Sequence, residues 1–226
     1  MATCGNLLNT SKVAYHLPSD ILSAKSDTMS TKLPPPRSIY VIGPSSTGKT
    51  TLCDGLVKKL GIPQSWYITE VARTVMTEQG YSKNTIALVE MQKAIMEAHY
   101  AREKILDAAH CPLRVCDRSA IDPIVYAILT SRNDEEARER QAFLTGTEKF
   151  QKALTRYKAT HSVVILLTSV PEWLVDDGVR TTENQEECVG IFKKLLEDLN
   201  VQYFEIGKEM KFLEERVMRA VGLEFC

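Results

Sequence analysis

The sequence lacks the features that mark several large classes of protein. Positive charge is not in excess, because 28 Lys and Arg residues are balanced by 29 Asp and Glu residues and the net charge is −1. Nucleic-acid-binding domains are usually strongly basic, so we expect no nucleic-acid partner. The longest apolar run, residues 162–170, is too short to span a bilayer, and residues 1–20 contain no continuous apolar region of a secretory signal. We therefore expect a cytoplasmic protein without a membrane span.

Paired metal-binding or disulfide patterns are also missing. The six cysteines form no CxxC pair and have no histidine at zinc-ligand spacing. Cys53 and Cys116 lie in apolar segments, which predicts small buried core residues, and their scatter fits a reducing compartment. The four histidines are dispersed, and His99 on a long helix is more typical of packing or surface than of a ligand.

The chain divides by composition into an arm and a domain. Residues 1–36 are rich in Ser, Thr, Asn and Lys and end in three prolines, which continue neither a helix nor a central strand. We interpret them as a flexible arm with a stiff spacer; a short helix at 19–26 that docks on the domain is the alternative. Residues 37–226 are predicted to form one domain.

Apolar strands alternate with helices throughout the domain. This pattern predicts a parallel sheet covered on both faces, an α/β fold of three layers. The Asp122-Pro123 pair predicts a helix start, with Asp at the N-cap and Pro at N1, and Asn133 with Glu136 predicts a capping box. Gly61, followed by Pro63, predicts a C-cap that ends the first helix. The apolar stripe of the helix 85–108 is predicted to be core, with Leu88, Met91, Ile95 and Ile105 at helical spacing. The predicted strands are 38–43, 65–69, 113–117, 162–169 and 201–207, and the main helices are 48–60, 85–108, 184–199 and a last one from about 208.

A phosphate-binding loop follows the first predicted strand. Residues 43–50, GPSSTGKT, match the Walker A pattern G-x-x-x-x-G-K-[ST] and open a helix, which is the context that this motif requires. Curled backbone N–H groups and the helix N-terminus attract phosphate oxygens. Lys49 supplies a full charge to the β- and γ-phosphates, and Thr50 offers a hydroxyl to Mg²⁺. The nucleotide-binding residues predicted from this motif are Gly43, Pro44, Ser45, Ser46, Thr47, Gly48, Lys49, Thr50 and Thr51.

The other strand ends indicate which class of P-loop protein this is. There is no N/T-K-x-D segment of a guanine-reading GTPase, and the third strand ends in Asp117-Arg118 instead of the Asp-Glu typical of ATPase motors. Asp117 can hold Mg²⁺, and Arg118 brings charge to a transferring phosphoryl group. This pattern favours transfer to a bound acceptor over hydrolysis.

Two further segments supply candidate residues for the acceptor and for closure. Glu70 follows the second strand, where it can accept the proton of an attacking hydroxyl, and Arg73 three residues later can hold the acceptor; a surface ion pair is the alternative. Residues 170–181 contain the pair Asp176-Asp177, a glycine and Arg180, which suits a mobile lid that brings Arg180 onto the phosphates. The alternative there is a polar loop with Trp173 in the core.

Several of these segments together resemble a known family. Over residues 38–207 the chain is similar to the ribosylnicotinamide kinase domain of NadR-type proteins. The segments that carry this similarity are GPSSTGKT, TEVAR (69–73), MQKAIMEAHYA (91–101), CDRSAID (116–122), EWLVDDGVR (172–180) and FKKLLEDL (192–199). The related AAA ATPase and kinase group also includes a eukaryotic branch reported to bind GTP and phospholipid. The resemblance implies a nucleoside-kinase-like fold with a lid and sheet order 2-3-1-4-5.

The resemblance also implies residue roles and a reaction. It implies catalytic Lys49, Glu70, Asp117 and Arg180, acceptor binding by Glu70, Arg73 and Gln92, Mg²⁺ at Thr50 and Asp117, and a place for Gly207 near the adenine at the end of the fifth strand. The strand end Asp117-Arg118 adds Arg118 as a further catalytic and acceptor-binding residue. The expected enzyme is a small-molecule kinase that uses Mg²⁺ and ATP, with GTP as the alternative, on a nucleoside-like acceptor. Arg118 departs from the nicotinamide riboside pattern, and no adenylyltransferase H-x-G-H segment precedes the domain, so the acceptor stays open. A homodimer is also left open, as are a nucleotide-dependent switch with little catalysis and a simple hydrolase.

Overall fold

The structure is a computed structural model that describes residues 36–168 and 185–224. The strands in these ranges are β1 (Arg37–Ile42), β2 (Tyr67–Ile68), β3 (Leu113–Asp117), β4 (Ser162–Leu167) and β5 (Phe204–Ile206). The α-helices are α1 (Lys49–Leu60), α2 (Ala72–Gln79), α3 (Val89–Ala108), α4 (Ile121–Leu129), α5 (Asp134–Thr145), α6 (Glu148–Tyr157), α7 (Gln185–Asp198) and α8 (Leu213–Glu224). Short 3₁₀ turns cover Gln64–Trp66 and Lys83–Thr85.

All strand pairs are parallel, and the sheet order is β2-β3-β1-β4-β5. The predicted fold class and the predicted order are therefore confirmed. Strand β1 lies in the middle, with Val41 opposite Asp117 of β3 and Ile165 of β4. Because neighbouring strands of a parallel sheet end at the same edge, the loops after β1 and β3 meet there.

The alternation of side chains along β1 divides the core into two layers. Tyr40 and Ile42 face the larger cluster, which includes Met96 of α3 and Phe192 of α7. Ile39 and Val41 face the second cluster, which α1 and α8 close from the other side of the sheet. Burial of apolar side chains on both faces explains why the strands appear in the sequence as continuous apolar runs.

The helix boundaries test the predicted capping signals. Gly61 ends α1 in the left-handed conformation at φ 63°, and Asn133 caps α5 by accepting a hydrogen bond from the Glu136 N–H, both as predicted. The prediction for α4 is wrong by two residues, because its N-cap is Ala120 and Asp122 lies inside the first turn. Asp122 still accepts a hydrogen bond from the Ser119 N–H at 2.8 Å, so it satisfies a backbone donor at this helix start.

Other elements differ from the predicted ones in extent. Strand β2 has two residues instead of five, because residues 64–66 form a 3₁₀ turn. On α3, Met91 and Ile95 are buried as expected, but Leu88, which precedes the helix, and Ile105 are exposed. Cys53 and Cys116 are fully buried core residues, as predicted.

Two predicted features fall beyond the ranges given above. The N-terminal arm (1–36, apart from its last residue) and the lid segment with Arg180 lie outside the described residues. Among the helices that the structure describes, none combines the length and the apolar composition needed to cross a bilayer.

Candidate active site

The loop between β1 and α1 is held in a conformation that requires glycine. Gly43 has φ 137°, and a Cβ at this position would clash with the backbone carbonyl oxygen of Leu167 in β4. Gly48 has φ 83° and forms the N-cap of α1, and Ser46 between them also has a positive φ of 61°. These backbone angles curl the loop around the N-terminus of α1, where unpaired N–H groups favour an anion.

Lys49 is folded onto its own loop. Its side chain is buried, and its Nζ donates to the Pro44 carbonyl oxygen and lies 3.4 Å from Thr47 Oγ1. Burial lowers the pKa of Lys49 to about 7, and the positive charge of Arg118 acts in the same direction. A buried ammonium group without a carboxylate in hydrogen-bond contact is suited to an incoming polyphosphate, whose oxygens would supply the missing negative charge.

Thr50 and Asp117 are joined across the P-loop and the end of β3. Thr50 Oγ1 donates to Asp117 Oδ2 at 2.5 Å, and Asp117 is buried. Burial raises the pKa of Asp117, although the hydrogen bond from Thr50 opposes the shift. Asp117 Oδ1 is buried and has no hydrogen-bond partner among the described residues. A hydroxyl and a carboxylate oxygen in this arrangement fit a Mg²⁺ ion, which binds oxygen ligands and usually keeps several waters.

A cavity of about 550 Å³ opens beside the P-loop. Its wall contains all four residues predicted to bind the acceptor: Glu70, Arg73, Gln92 and Arg118. Apolar groups line much of the rest, including Met76, Met91, Ile95 and Pro123, and Ser45 of the P-loop reaches its edge. A mostly apolar cavity with a few polar groups is typical of a small-molecule site, and this volume lies within the usual range for one.

Glu70 lies closer to Arg118 than to Arg73. Arg118 Nε donates to Glu70 Oε1 at 2.8 Å and its Nη1 to Asp122 Oδ1 at 3.3 Å. Arg73 Nε lies 3.7 Å from Glu70 Oε2, with 76 % of its side chain exposed, so this predicted pair is the weaker one. Glu70 precedes α2, so the pair with Arg73 spans a helix start and is not within a helical turn.

Arg118 has an unusual backbone that directs it to this position. Its φ is 83°, which is uncommon for a residue with a Cβ, and its N–H donates to the Val41 carbonyl oxygen at 2.9 Å. Burial acts to lower the pKa of Arg118, but the surrounding anionic groups raise it above its ordinary value. Arg118 therefore stays charged at the junction of the P-loop and the cavity.

Several side chains at the site were not predicted from the sequence. Tyr126 of α4 shares a hydrogen bond of 2.8 Å with Ser45, and Gln185 at the start of α7 donates to the Ser45 carbonyl oxygen at 2.9 Å. Both fix the P-loop relative to distant helices. Asp122 was predicted only as a helix start. The D-R-S-x-x-D spacing after a buried strand could have identified it, because this spacing places one acid before Arg118 and one after it.

Gly207 lies at the end of β5 and is linked to the P-loop by a residue that sequence reasoning missed. The buried Arg216 of α8 donates to the Gly207 carbonyl oxygen at 3.1 Å and lies 3.4 Å from the Thr47 carbonyl oxygen. A Cβ at Gly207 would clash with Thr168 Oγ1. Gly207 does not line the cavity, so its predicted contact with a nucleotide would be made outside that cavity, at the end of β5. Gln92, in contrast, lies in the cavity wall and donates to the Ile86 carbonyl oxygen at 2.8 Å.

The fold and this loop define a three-layer P-loop protein. A family model described as an AAA domain matches residues 38–216, and the chain belongs to that family. No curated protein matches the sequence.

Two solved structures have a similar fold. One is the NadR protein in complex with NR, with a TM-score of 0.61 and 16% identity over 84% of this chain and 50% of that one. The other is deoxyadenosine kinase from M. mycoides with bound dCTP, with a TM-score of 0.57 and 16% identity over 82% of this chain and 97% of that one. This chain thus spans half the length of the NadR chain. The resemblance to NadR-type P-loop kinases is confirmed at the level of the fold.

Proposed function

We propose that the protein is a Mg²⁺-dependent kinase that transfers the γ-phosphoryl group of ATP to a hydroxyl of a small nucleoside-like acceptor. The observation that carries this proposal is the direct junction of the P-loop with a cavity that contains Glu70 and Arg118. A hydrolase needs only a water beside the γ-phosphate. The cavity of about 550 Å³ beside the P-loop is large enough for an organic acceptor.

The residues divide into those for the nucleotide and those for the acceptor. Lys49 and the loop N–H groups bind the β- and γ-phosphates, and Thr50 and Asp117 would hold Mg²⁺. When bound, the ion neutralises negative charge on the phosphates. Gly207 is proposed to lie near the base, and ATP is preferred to GTP because no guanine-reading segment occurs in the sequence. Arg180 retains its proposed role as a lid residue.

Glu70 and Arg118 act at the reacting atoms in this proposal. The acceptor oxygen attacks the γ-phosphorus in line, a new P–O bond forms, and the bond to the β-phosphate oxygen breaks so that ADP leaves. The hydroxyl proton passes to Glu70, whose carboxylate is oriented by Arg118 at 2.8 Å. Arg118 then lies where negative charge develops, and Arg73 and Gln92 hold the acceptor.

One observation favours a second candidate, a nucleotide-dependent switch with little catalysis. Glu70 is already paired with Arg118 and, at a longer distance, with Arg73, so an ion pair that a bound nucleotide could rearrange stands at the P-loop before any acceptor binds. A switch would use this ion pair to sense the nucleotide, with no turnover of an acceptor.

Phosphoryl transfer from labelled ATP to a panel of nucleosides separates the candidates. A kinase labels at least one acceptor, whereas a switch labels none and a hydrolase releases phosphate without any acceptor. In the kinase, Glu70→Gln should lower transfer about 10²–10⁴-fold while ATP affinity stays nearly level. The matched control is Glu78→Gln, an exposed glutamate of α2 outside the cavity wall, which should leave transfer unchanged. Absence of transfer by the wild-type protein to every acceptor would refute the kinase.

A further inference from the structure

The closed end of the cavity contains a histidine that the proposed reaction does not use. Met91, Gln92, Ile95 and His99 of α3 line the cavity, at a spacing that places them on one face of the helix. The next residue on that face, Glu103, is fully buried and is not part of the cavity wall. His99 therefore lies at the closed end of the cavity, about 10 Å along the helix axis from Gln92.

The ring of His99 is held from beneath. Its Nδ1 lies 3.0 Å from Glu103 Oε1, and the ring is 1 % exposed. Glu103 in turn accepts hydrogen bonds from Arg156 at 2.6 Å and from Tyr157 at 3.1 Å. A carboxylate accepts only, so Nδ1 carries the hydrogen and the orientation of the ring is fixed.

The charges of this cluster balance without His99. Glu103 and Asp107 carry two negative charges, and Arg114 and Arg156, which donate to Asp107 at 2.9 Å and 2.7 Å, carry two positive charges. No counter-charge is required from the imidazole, and the tautomer with the hydrogen on Nδ1 satisfies the Glu103 carboxylate. Its Nε2 then has a lone pair, and this atom is buried and has no hydrogen-bond partner among the described residues. A buried acceptor with no partner is unfavourable, so it is a place where a ligand donor gains binding energy.

We propose that His99 is a specificity-determining residue, whose Nε2 accepts a hydrogen bond from an N–H or O–H group at the buried end of the acceptor. Glu103 is the positioning residue that fixes the tautomer. The inference rests on the proposed function in that it takes the cavity to be the acceptor site. It restricts the acceptor class to compounds with a hydrogen-bond donor at the end remote from the phosphorylated hydroxyl. Such a site rejects analogues that lack the donor, because Nε2 would be buried without a partner.

The direct test is ¹⁵N NMR of histidine-labelled protein, titrated with adenosine, guanosine, cytidine, uridine, their deoxy forms and nicotinamide riboside, without ATP. The chain has four histidines, and a His99→Phe spectrum assigns the signal. We expect Nε2 of free protein to have the shift of an unprotonated nitrogen with a free lone pair, and at least one compound to move it towards the hydrogen-bonded value. An Nε2 signal that is already hydrogen-bonded and does not respond to any compound would show that a buried water is its partner, and the proposal would be wrong.

Affinity measurements with variants complete the test. His99→Phe should weaken binding of the responding nucleoside about 10- to 100-fold, with ATP affinity unchanged, and His99→Gln should restore part of the loss. His110→Phe, the same change at an exposed histidine outside the cavity wall, should change binding less than about threefold. A nucleoside analogue that lacks the hydrogen-bond donor should bind wild type and His99→Phe with equal affinity. If His99→Phe weakened binding of the analogue as much as binding of the responding nucleoside, the hydrogen bond to Nε2 would be refuted.

The outcomes for the two proposals are distinguishable. If nucleosides bind and shift the Nε2 signal but no phosphoryl transfer occurs, the proposed kinase fails and the role of His99 stands. If transfer occurs and the Nε2 signal is silent, the kinase stands and the role of His99 fails.

Discussion

Arg118 Nε lies 2.8 Å from Glu70 Oε1, so an ion pair joins the end of β3 to the end of β2 at the edge of the cavity. The pair is mostly buried, with 10 % of the arginine side chain and 19 % of the glutamate side chain exposed. Because Arg118 also contacts Asp122, one guanidinium group positions two carboxylates. Lysine cannot reproduce this geometry, since its single nitrogen lacks the planar fork.

We therefore expect Arg118→Lys to lower phosphoryl transfer about 10- to 100-fold and to reduce the free energy of unfolding by about 1–3 kcal/mol. Steady-state kinetics and urea denaturation measure the two effects. Arg73→Lys is the comparison, because 76 % of its side chain is exposed and its Nε lies 3.7 Å from Glu70 Oε2, so the loss of stability should be small and the loss of transfer smaller than for Arg118→Lys. Equal losses in the two variants would show that Glu70 does not depend on Arg118.

Gly43 is predicted to tolerate no side chain. A Cβ there would clash with the Leu167 carbonyl oxygen, which is fixed in β4, and the φ of 137° is strained for any other residue. Gly43→Ala should displace the P-loop and lower nucleotide affinity more than tenfold, as measured by calorimetry. Gly61→Ala is the matched control: it also has a positive φ, 63°, but no atom of the described residues lies within 4 Å of the added Cβ. That control should cost only about 1 kcal/mol of stability and leave nucleotide binding intact. Comparable loss of nucleotide binding in both variants would contradict the role of the Leu167 contact.

The Thr50 hydroxyl is predicted to matter only when Mg²⁺ is present. Thr50→Val keeps the shape of the side chain and removes the donor to Asp117 Oδ2. Mg²⁺-nucleotide affinity should fall about 10-fold or more, whereas binding of the nucleotide in EDTA should change little. Thr50→Ser retains the hydroxyl and should behave as wild type. An equal loss with and without Mg²⁺ would assign the hydroxyl to the phosphates instead of the metal.

The fold could be predicted from the sequence because its signals are local. The continuous apolar strands β1, β3 and β4, the Gly61 cap and the Asn133 cap each depend on neighbouring residues, and each was located correctly, whereas β2 and β5 are shorter than predicted. Errors arose where packing decides the boundary. Ile105 fits a helical apolar stripe but faces solvent, and helix α6 was not predicted although it supplies Phe150 to the core.

The candidate site was predictable only where a motif or a strand end marked it. Glu70, Asp117 and Arg118 follow strands and were found for that reason. His99, Gln185 and Arg216 could not be found in this way, because their partners are remote in sequence or their contacts depend on how helices dock. Arg216 contacts Thr47, for example, across 169 positions of the chain. The sequence pattern of a single helix does not predict such a contact.

The buried carboxylate beneath the cavity has a predictable effect on acid stability. Burial acts to raise the pKa of Glu103, but the hydrogen bond from His99 and the charges of Arg156 and Arg114 outweigh it and lower this pKa below its ordinary value. A carboxyl group whose pKa is lower in the folded protein stabilises it above the unfolded pKa, roughly 4.3, and this contribution is lost as the pH falls through the folded value. The contribution should therefore be constant from pH 7 to about 5 and decline below that.

Glu103→Gln tests this expectation. At pH 7 the variant should be less stable by about 3–5 kcal/mol, because Arg156 loses its buried partner. The difference from wild type should shrink as the pH falls below about 4, since the wild-type carboxyl then binds a proton as well. Urea denaturation at several pH values measures the difference. Glu148→Gln is the control, because Glu148 pairs with Lys152 on an exposed surface and should contribute little at any pH. If the difference in free energy of unfolding between Glu103→Gln and wild type grew on acidification, the pKa of Glu103 would have to be raised in the folded protein. Arg156 and Arg114 would then not be the groups that stabilise the carboxylate beneath His99.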